Sequence, residues 1–199
     1  MTAETATRRG RPRSADADAR ILDATAEILG EVGYHGLSMD FVAQRAGVAK
    51  TTVYRRWAAK QELVLATMAH LTTDLAPQDT GSLRGDLLAL VRGQMERLLN
   101  RPFGATVQAM QLAVAERPEL SAVAAEGFLT DRRREVDVII DRAIARGELA
   151  PGVEREIIFD LCIGALFMRF MVVRTKLTPD LPEKIVDAVL LGYPNLPVA

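Results

Sequence analysis

Residues 38–57, SMDFVAQRAGVAKTTVYRRW, decide the fold of this chain. Ser38 is a preferred N-cap residue, so the pattern predicts a short helix over Met39–Ala46. Gly47 favours the left-handed backbone conformation that ends a helix, and a second short helix is predicted over about Lys50–Trp57. Two short helices joined by a glycine-containing turn are typical of a helix-turn-helix.

The second of these helices has an apolar side and a polar side. Val53 and Trp57 are four residues apart, so they share the side that we expect to face the core. Hydroxyl and cationic side chains contact phosphates and base edges, and the second helix of the motif enters the major groove of DNA. The predicted DNA-contacting surface is therefore the opposite side, which carries Lys50, Thr51, Thr52, Tyr54, Arg55 and Arg56. The alternative is the solvated face of an ordinary helical hairpin, where exposed tyrosine and threonine are unusual.

Apolar residues at helical spacing continue through the rest of the chain, and no stretch alternates with the period of a strand. The chain is predicted to be all-α, with about nine helices. Besides the two short ones, helices are predicted from about Ala15 to Gly33, from Ala59 towards Leu75, at 83–100, 105–116, 118–146 and 154–175, and after Pro182.

Composition divides the chain into three parts. Residues 1–14 hold four arginines and almost no large apolar side chain, and they are predicted to form a disordered basic arm. Residues 15–75 are predicted to form a three-helix head together with the fourth helix that links it to the body. A proline and a glycine break the pattern within 76–82, and residues 82–199 are predicted to form a helical body.

Charge is distributed unevenly along the 199 residues, whose net charge is −1. Residues 1–60 carry ten Lys and Arg against seven Asp and Glu, whereas residues 61–199 carry fifteen against nineteen. A mildly basic front favours a head that binds nucleic acid. The single cysteine excludes an internal disulfide framework, and neither a membrane span nor a signal peptide is recognisable, so we expect a cytoplasmic protein.

The segment 33–64, GYHGLSMDFVAQRAGVAKTTVYRRWAAKQELV, resembles the DNA-binding head of the TetR/AcrR-type transcriptional regulators. The resemblance covers roughly residues 15–70. Beyond it, the chain is similar only in architecture, which implies a helical body for ligand binding and dimerisation. The residues that fall in register with the family motif are Gly33, Ser38, Val42-Ala43, Ala46-Gly47-Val48, Lys50, Tyr54, Trp57 and Lys60.

The resemblance assigns roles on the second helix of the motif. It implies that Thr51, Thr52 and Arg55 face base edges. It also implies that Lys50 and Tyr54 contact the DNA backbone or the bases. Arginine in such a position can pair bidentately with guanine.

The same resemblance implies phosphate contacts outside that helix. Ser38 would hold a phosphate through its hydroxyl and the nearby backbone N–H groups. Lys60, which opens the fourth helix, would reach the phosphate backbone. The RRGRPR segment at 8–13 would lie along the minor groove as other basic arms do, and the alternative is a tail without DNA contacts.

The segment 154–175 is apolar around nearly its whole circumference, and a helix of that kind is buried all round. In a body of about five helices, only a partner chain can cover such a helix on both faces. We therefore predict a homodimer formed through helices near 154–175 and 182–191, as the resemblance also implies. The alternative is a central helix within one monomer.

The resemblance further implies a pocket for a small, apolar effector within the body. Binding of the effector would draw the dimer away from the spacing that fits a palindromic operator, so the predicted function is that of a ligand-responsive repressor. The fourth helix, from Lys60 to Leu75, would be the lever. The candidate lining residues are Phe103, Met110, Gln111, Phe128 and Phe167.

Two other classes of function compete with this prediction. An effector-independent DNA-binding or architectural protein stays open. An enzyme is not expected, because the sequence has no P-loop, nucleophile elbow or dinucleotide fingerprint, and the two histidines lack the spacing of a di-iron site. We accordingly expect no cofactor and no catalytic metal, with double-stranded DNA and a small molecule as partners.

Overall fold

The computed structural model describes residues 13–72 and 77–192, with side chains described throughout except at 13–15, 126–129 and 131. In this part of the chain every regular element is helical, so the all-α prediction is confirmed. The nine α-helices of the described residues are α1 (Arg13–Gly36), α2 (Met39–Ala46), α3 (Lys50–Tyr54), α4 (Lys60–Thr72), α5 (Leu83–Leu99), α6 (Arg101–Glu116), α7 (Ser121–Ala145), α8 (Arg155–Phe167) and α9 (Leu181–Gly192). The predicted arm covers residues 1–14, of which 1–12 lie outside the described residues. Its predicted end is wrong, because α1 begins at Arg13 and residues 13 and 14 are helical. The predicted end of the fourth helix near Leu75 also lies outside the described residues.

The head consists of α1 to α4 around one apolar core. Ile21 and Ile28 of α1, Val42 of α2, Val53 of α3 and Leu63 of α4 are all completely buried. Each helix contributes one apolar stripe, and the core forms where the stripes meet.

The long helix α1 changes direction at Gly33, where the sequence predicted its end. The backbone of Gly33 is not helical (φ 69°, ψ −177°), and a further turn follows it up to Gly36. A positive φ of this kind is readily adopted by glycine only. The kink brings Tyr34 into the core of the head, where its side chain is 4% exposed.

The body has a second core, which α5 to α9 enclose. Its centre is made of completely buried aliphatic side chains, one or more from each helix, including Leu87, Val107, Ile140, Leu166 and Val186. None of the helices in the described ranges is both long enough and apolar enough to cross a membrane.

Helix α6 joins the two cores. Ala109 and Ala113 belong to the core of the head although they lie in the sequence of the body, and Met110 contacts both cores. Small side chains let α1 pack closely here: a Cβ added to Gly30 would lie 3.4 Å from the backbone of Pro102. A shift of α6 would therefore change the packing of the head as well as that of the body.

Several predicted helix boundaries are wrong, and the helix predicted over 105–116 begins at Arg101. The segment 154–175 is not one helix: α8 ends at Phe167, and a π-helical turn over Met168–Val173 follows. Val172 and Val173, at the end of this turn, are 69% and 57% exposed, and β-branched residues have a slightly lower helix propensity. The helix predicted from residue 118 begins with a 3₁₀ turn, Pro118–Leu120, before α7.

Candidate DNA-binding surface

Ser38 begins the helix-turn-helix and has the geometry of an N-cap. Its backbone is extended (φ −134°, ψ 148°), and its Oγ accepts a hydrogen bond of 3.2 Å from the N–H of Phe41. This bond satisfies one of the free N–H groups at the start of α2. Because the side chain is exposed, its hydroxyl hydrogen is available to donate to a phosphate.

Gly47 ends α2 in the left-handed conformation (φ 64°, ψ 41°). Its N–H donates to the carbonyl of Gln44 at 3.2 Å, and the N–H of Val48 donates to the carbonyl of Ala43 at 3.0 Å. These two bonds are those of a Schellman motif, which caps the free carbonyls at the end of a helix. The turn fixes the direction in which α3 begins at Lys50.

The two sides of α3 differ as the sequence predicts. Val53 is completely buried, and Trp57, which lies just beyond the helix, packs half-buried against the core of the head. The regular helix ends at Tyr54 and not at Trp57, although the N–H of Trp57 still donates to the carbonyl of Val53 at 3.0 Å. Thr52 is half-buried, and the exposed residues of the outer side are Lys50, Thr51, Tyr54 and Arg55.

Arg56 is an exception to the predicted outer side. Its Nε forms an ion pair with Asp18 of α1, and its Nη1 donates to the carbonyl of Thr52 at 3.1 Å. The guanidinium thus fastens α3 to α1 in the packing of the head. Lys50 and Arg55 are the cationic side chains of this segment that lie exposed.

Lys50 has an acidic neighbour on the same surface. Its Nζ donates to Asp40 Oδ2 of α2 at 2.5 Å, and this hydrogen bond raises the pKa of Lys50. Lys50 and Asp40 lie along an open groove of about 670 Å³ between α2 and the start of α3. The residues that line this groove include Ser38, Asp40, Gln44, Ala49 and Lys50. The fold therefore brings Ser38 and Lys50 to one concave surface.

The side chain of Lys60, which the resemblance places on the phosphate backbone, points in this structure towards the Tyr34 ring. Lys60 is the first residue of α4 and is half-buried, with its Nζ 4.1 Å from the centre of the Tyr34 ring. The ammonium also lowers the pKa of Glu116, after the larger effects of two hydrogen bonds. Lys60 thus belongs, in this structure, to the contact between the head and the body.

That contact contains a hydrogen-bonded group that sequence reading missed. Glu116, at the end of α6, accepts hydrogen bonds through Oε2 from the Tyr34 hydroxyl at 2.6 Å and from Gln61 Nε2 at 2.7 Å. These bonds lower the pKa of Glu116. Burial, followed by the bond to Glu116, raises the pKa of Tyr34. One carboxylate of the body therefore holds both α1 and α4 of the head.

An ion pair beside this group makes a second connection. Arg117 donates from Nη1 to Glu62 Oε1 at 3.1 Å, and Glu62 Oε2 accepts from the N–H of Ala58 at 2.9 Å. The bond to Ala58 caps the start of α4, so Arg117 acts on the segment between α3 and α4. A charged Glu-Arg pair at the end of an apolar helix is the one signal in the sequence that could have pointed to this contact.

Three of the five residues predicted to line an effector pocket lie in or against the core of the body. Phe103 is 5% exposed in its core, and Met110 and Phe167 are half-buried against it. Gln111 is exposed, and the side chain of Phe128 lies outside the described residues. No ligand contact tests these five residues, and their role stays a prediction. No group of three or more His, Cys, Asp or Glu side chains in the described part of the chain is arranged to hold a metal ion.

Two family models match the chain. One, described as "Bacterial regulatory proteins, tetR family", matches residues 21–67, and the other, "Tetracyclin repressor-like, C-terminal domain", matches residues 77–189, more than half of the chain. The chain belongs to the TetR family. The TetR-family resemblance seen in residues 33–64 is thereby confirmed, and so is the function of an HTH-type transcriptional regulator.

Curated relatives support the same membership in the TetR family. An uncharacterized HTH-type transcriptional regulator of Mycobacterium tuberculosis is 34% identical over 178 residues, which are 87% of this chain and 86% of the relative. The DNA-binding transcriptional repressor TetR of Mycobacteroides abscessus is 32% identical over 189 residues, or 92% of this chain and 94% of the relative.

Solved structures share the TetR-family fold. A TetR family transcription regulator with 28% sequence identity superposes with a TM-score of 0.73 and covers 89% of this chain and 98% of its own. FadR from Bacillus subtilis, in complex with stearoyl-CoA, has a TM-score of 0.69 at 18% identity and covers 88% and 98% of the two chains. At that identity the second likeness concerns the fold alone.

Proposed function

We propose that this TetR-family regulator is a homodimeric repressor that binds a palindromic operator and leaves DNA when a small molecule binds its body. The observation that carries the proposal is the two-sided character of α3. Val53 is buried in the head, whereas Tyr54 is 50% exposed and Lys50 and Arg55 are exposed beside it. A short helix anchored on one side and polar on the other is what a major groove admits.

The outer side of α3 is the proposed base-reading surface. Thr51, Thr52 and Arg55 contact base edges, and Arg55 is the residue that can pair bidentately with guanine. Lys50 and Tyr54 contact the backbone or the bases. The exposure of four of these five side chains supports these roles, and the half-buried Thr52 presents only part of its side chain.

Phosphate contacts frame this surface. The exposed hydroxyl of Ser38 and the N-terminus of α2 are one proposed phosphate site. Lys60 is the other, and it must leave the Tyr34 ring to reach a phosphate. A cation over an aromatic ring is worth about 0.5–2 kcal/mol, depending on how far it is desolvated, so a phosphate can compete for it. The RRGRPR arm, residues 8–13, is proposed to lie in the minor groove.

A second copy of the chain is the proposed occupant of an apolar stripe on α8. Ile157, Leu161 and Met168 share one face of the helical path and are 43%, 47% and 55% exposed. Gly164 lies between them, and nothing stands within 4 Å of a Cβ added there, so a partner helix can approach closely. Leu191 at the end of α9 is 84% exposed. Self-association of this stripe, with the 182–191 region beside it, buries these groups about a two-fold axis.

The head–body contact supplies the route from effector to DNA. Glu116 and Arg117, at and just beyond the end of α6, hold Tyr34, Gln61 and Glu62 of the head. An effector that binds better to a body with α6 displaced also favours a displaced head, and only its differential affinity for the two states counts. The FadR neighbour holds stearoyl-CoA, which supports a ligand-binding role for a body of this fold.

Footprinting on the DNA that flanks the coding region of this chain tests the proposal. The expected result is a protected palindrome whose two halves are about 34–36 Å apart, one turn of DNA, or a multiple of it. Protection should weaken when an active compound from a small-molecule panel is added. Protection that no compound alters would favour the effector-independent DNA-binding protein, and a failure to protect any duplex would contradict the proposal.

A further inference from the structure

A cavity of about 210 Å³ lies between α5 and α7, beside the loop that precedes α5. It is smaller than the sites that hold drug-sized ligands, which are about 300–1,000 Å³. None of the predicted effector-binding residues whose side chains are described lines it. Its wall combines aliphatic and charged side chains, chiefly Ala89, Leu90, Gly93, Arg97, Glu135 and Ile139.

Both carboxylates of the cavity wall already have cationic partners. Glu135 is 7% exposed, and its Oε2 accepts from Nη1 of the buried Arg132 at 2.8 Å. Asp86 is 1% exposed and accepts from Arg146 Nη2 at 3.0 Å. It also accepts from the N–H and Oγ1 of Thr80, each at 2.7 Å. The negative charges of the wall are therefore compensated.

Arg97 differs from the other arginines of this region. It donates from Nε and Nη2 to Oε1 of Gln94 at 3.3 and 2.8 Å, and this partner is a neutral amide. Within the described ranges no carboxylate lies within 4.0 Å of its guanidinium. Burial lowers the pKa of Arg97, against a longer-range effect of Glu135 and Glu96. Since arginine keeps its proton in proteins, a partly buried positive charge faces the cavity with Glu135 as a longer-range counter-charge and without a carboxylate in direct contact.

Gln94 holds Arg97 at the cavity without lining it. Its side chain is completely buried, and its Nε2 has no hydrogen-bond partner in the described part of the chain. Because this nitrogen is closed to the cavity, Gln94 acts on the site only through Oε1, which holds the Arg97 guanidinium in place.

We propose that this cavity binds the carboxylate of a small organic acid. Arg97 is the counter-ion, and Leu90 and Ile139 contact the hydrocarbon part of the acid. Gln94 occupies the Nε side of the guanidinium, and the remaining hydrogens of Nη1 and Nη2 form a planar fork that matches two carboxylate oxygens. The proposal rests on the proposed function in taking this ligand as the effector that weakens DNA binding.

Gly93 allows the site to be closed without disturbing the fold. It lies in the wall of the cavity, in the middle of α5, and nothing stands within 4 Å of a Cβ added there. Gly93→Leu therefore directs a side chain into open space, and leucine favours a helix interior more than glycine does. Arg97→Gln removes the charge, and Arg133→Gln, at an exposed arginine of α7, is the matched control.

Isothermal titration of the full-length chain with hexanoate and benzoate tests the site, with hexanamide and benzamide as neutral isosteres and inorganic phosphate as a second anion. At least one acid should bind, with its amide binding at least tenfold more weakly. Arg97→Gln and Gly93→Leu should each weaken binding of that acid tenfold or more, while Arg133→Gln changes it less than twofold. Phosphate should not compete, because the aliphatic wall contacts hydrocarbon.

Several results would overturn the assignment: no heat from either acid at millimolar concentration, equal binding of acid and amide, unchanged binding by Gly93→Leu, or tighter binding of phosphate than of the acids. Thermal melts verify that each variant is folded. DNA binding is measured separately, by mobility shift with and without the acid. If the acid binds as expected but the chain does not bind DNA, the proposed function fails while the carboxylate site stands.

Discussion

The Tyr34 hydroxyl donates a hydrogen bond of 2.6 Å to Glu116, and the two residues are 82 positions apart in the sequence. Tyr34 follows the kink of α1 in the head, and Glu116 is the last residue of α6 in the body. Gln61 of α4 donates to the same carboxylate oxygen. Three helices thus meet at one ionised group, so the charge state of Glu116 controls how firmly the head is held.

Acid should weaken this contact. The hydrogen bonds from Tyr34 and Gln61 hold the folded-state pKa of Glu116 below its usual 4.5, so the group stabilises the folded chain above pH 4.5. That stabilisation is lost as the pH falls through the lower folded-state pKa. Glu116→Gln should lower Tm at neutral pH, and the difference from the unaltered chain should shrink well below pH 4.5. Melts by circular dichroism measure both, with Glu96→Gln, on an exposed face of α5, as the control. A difference in Tm that does not depend on pH would contradict the assigned role.

Asp40 should restrain DNA binding. Its carboxylate is paired with Lys50 on the surface proposed to meet DNA, and it adds a negative charge close to the phosphates. Asp40→Asn should tighten binding to duplex and steepen the dependence of log K on log salt by about 0.9, since one more cation becomes available to a phosphate. Fluorescence anisotropy at several salt concentrations measures the slope. Asp141→Asn, which breaks an ion pair with Arg155 in the body, should leave the slope unchanged. The same slope for Asp40→Asn and the unaltered chain would show that Lys50 contacts no phosphate.

The α8 stripe should determine the oligomeric state. Leu161→Glu puts a charge in the middle of the stripe and should convert a dimer into chains of 21.8 kDa, because a carboxylate buried without a partner is costly. Light scattering after size exclusion gives the mass. Leu99→Glu changes a leucine of α5 that is 59% exposed and should not alter the mass. If the Leu161→Glu protein stays dimeric, the dimer interface does not include the α8 stripe.

Gly47 should set the angle between α2 and α3. Its φ of 64° lies in the left-handed region, which costs an alanine about 1–2 kcal/mol. Gly47→Ala should therefore lower the free energy of unfolding by roughly that amount and weaken DNA binding. Gly47→Asn should reduce the free energy of unfolding and the DNA affinity by less, because asparagine tolerates the left-handed conformation. Chemical denaturation checks the first effect and anisotropy the second, and an equal loss for Ala and Asn would mean that the conformation is not the cause.

Local signals in the sequence predicted the helix-turn-helix because its determinants lie close together. Ser38 caps α2, Gly47 ends it, and Val53 turns inward, all within 16 residues. The sequence did not predict the outcome for Arg56, because its partner Asp18 is on another helix. The sequence placed Lys60 on a phosphate, and it did not predict the contact between Lys60 and the Tyr34 ring.

The sequence predicted less of the body, because the contacts between its helices join residues that are far apart in the sequence. Apolar periodicity predicted its helices, but it gives no information on the polar groups between them. Gln94 with Arg97 and Arg132 with Glu135 are each spaced by three residues, the spacing of neighbours on one helix face. These pairs were visible in the sequence, but their meeting beside a cavity depends on the packing of α5 against α7.

The most direct test of the account is base preference at the footprinted operator. Binding of the unaltered chain and of Arg55→Ala is compared on duplexes in which each base pair of the half-site is changed in turn. Arg55→Ala should bind more weakly by about 1–3 kcal/mol and lose discrimination at one position of each half-site, with preferences elsewhere retained. If Arg55→Ala keeps the affinity and the full base preference of the unaltered chain, the outer side of α3 does not read DNA through this arginine as proposed.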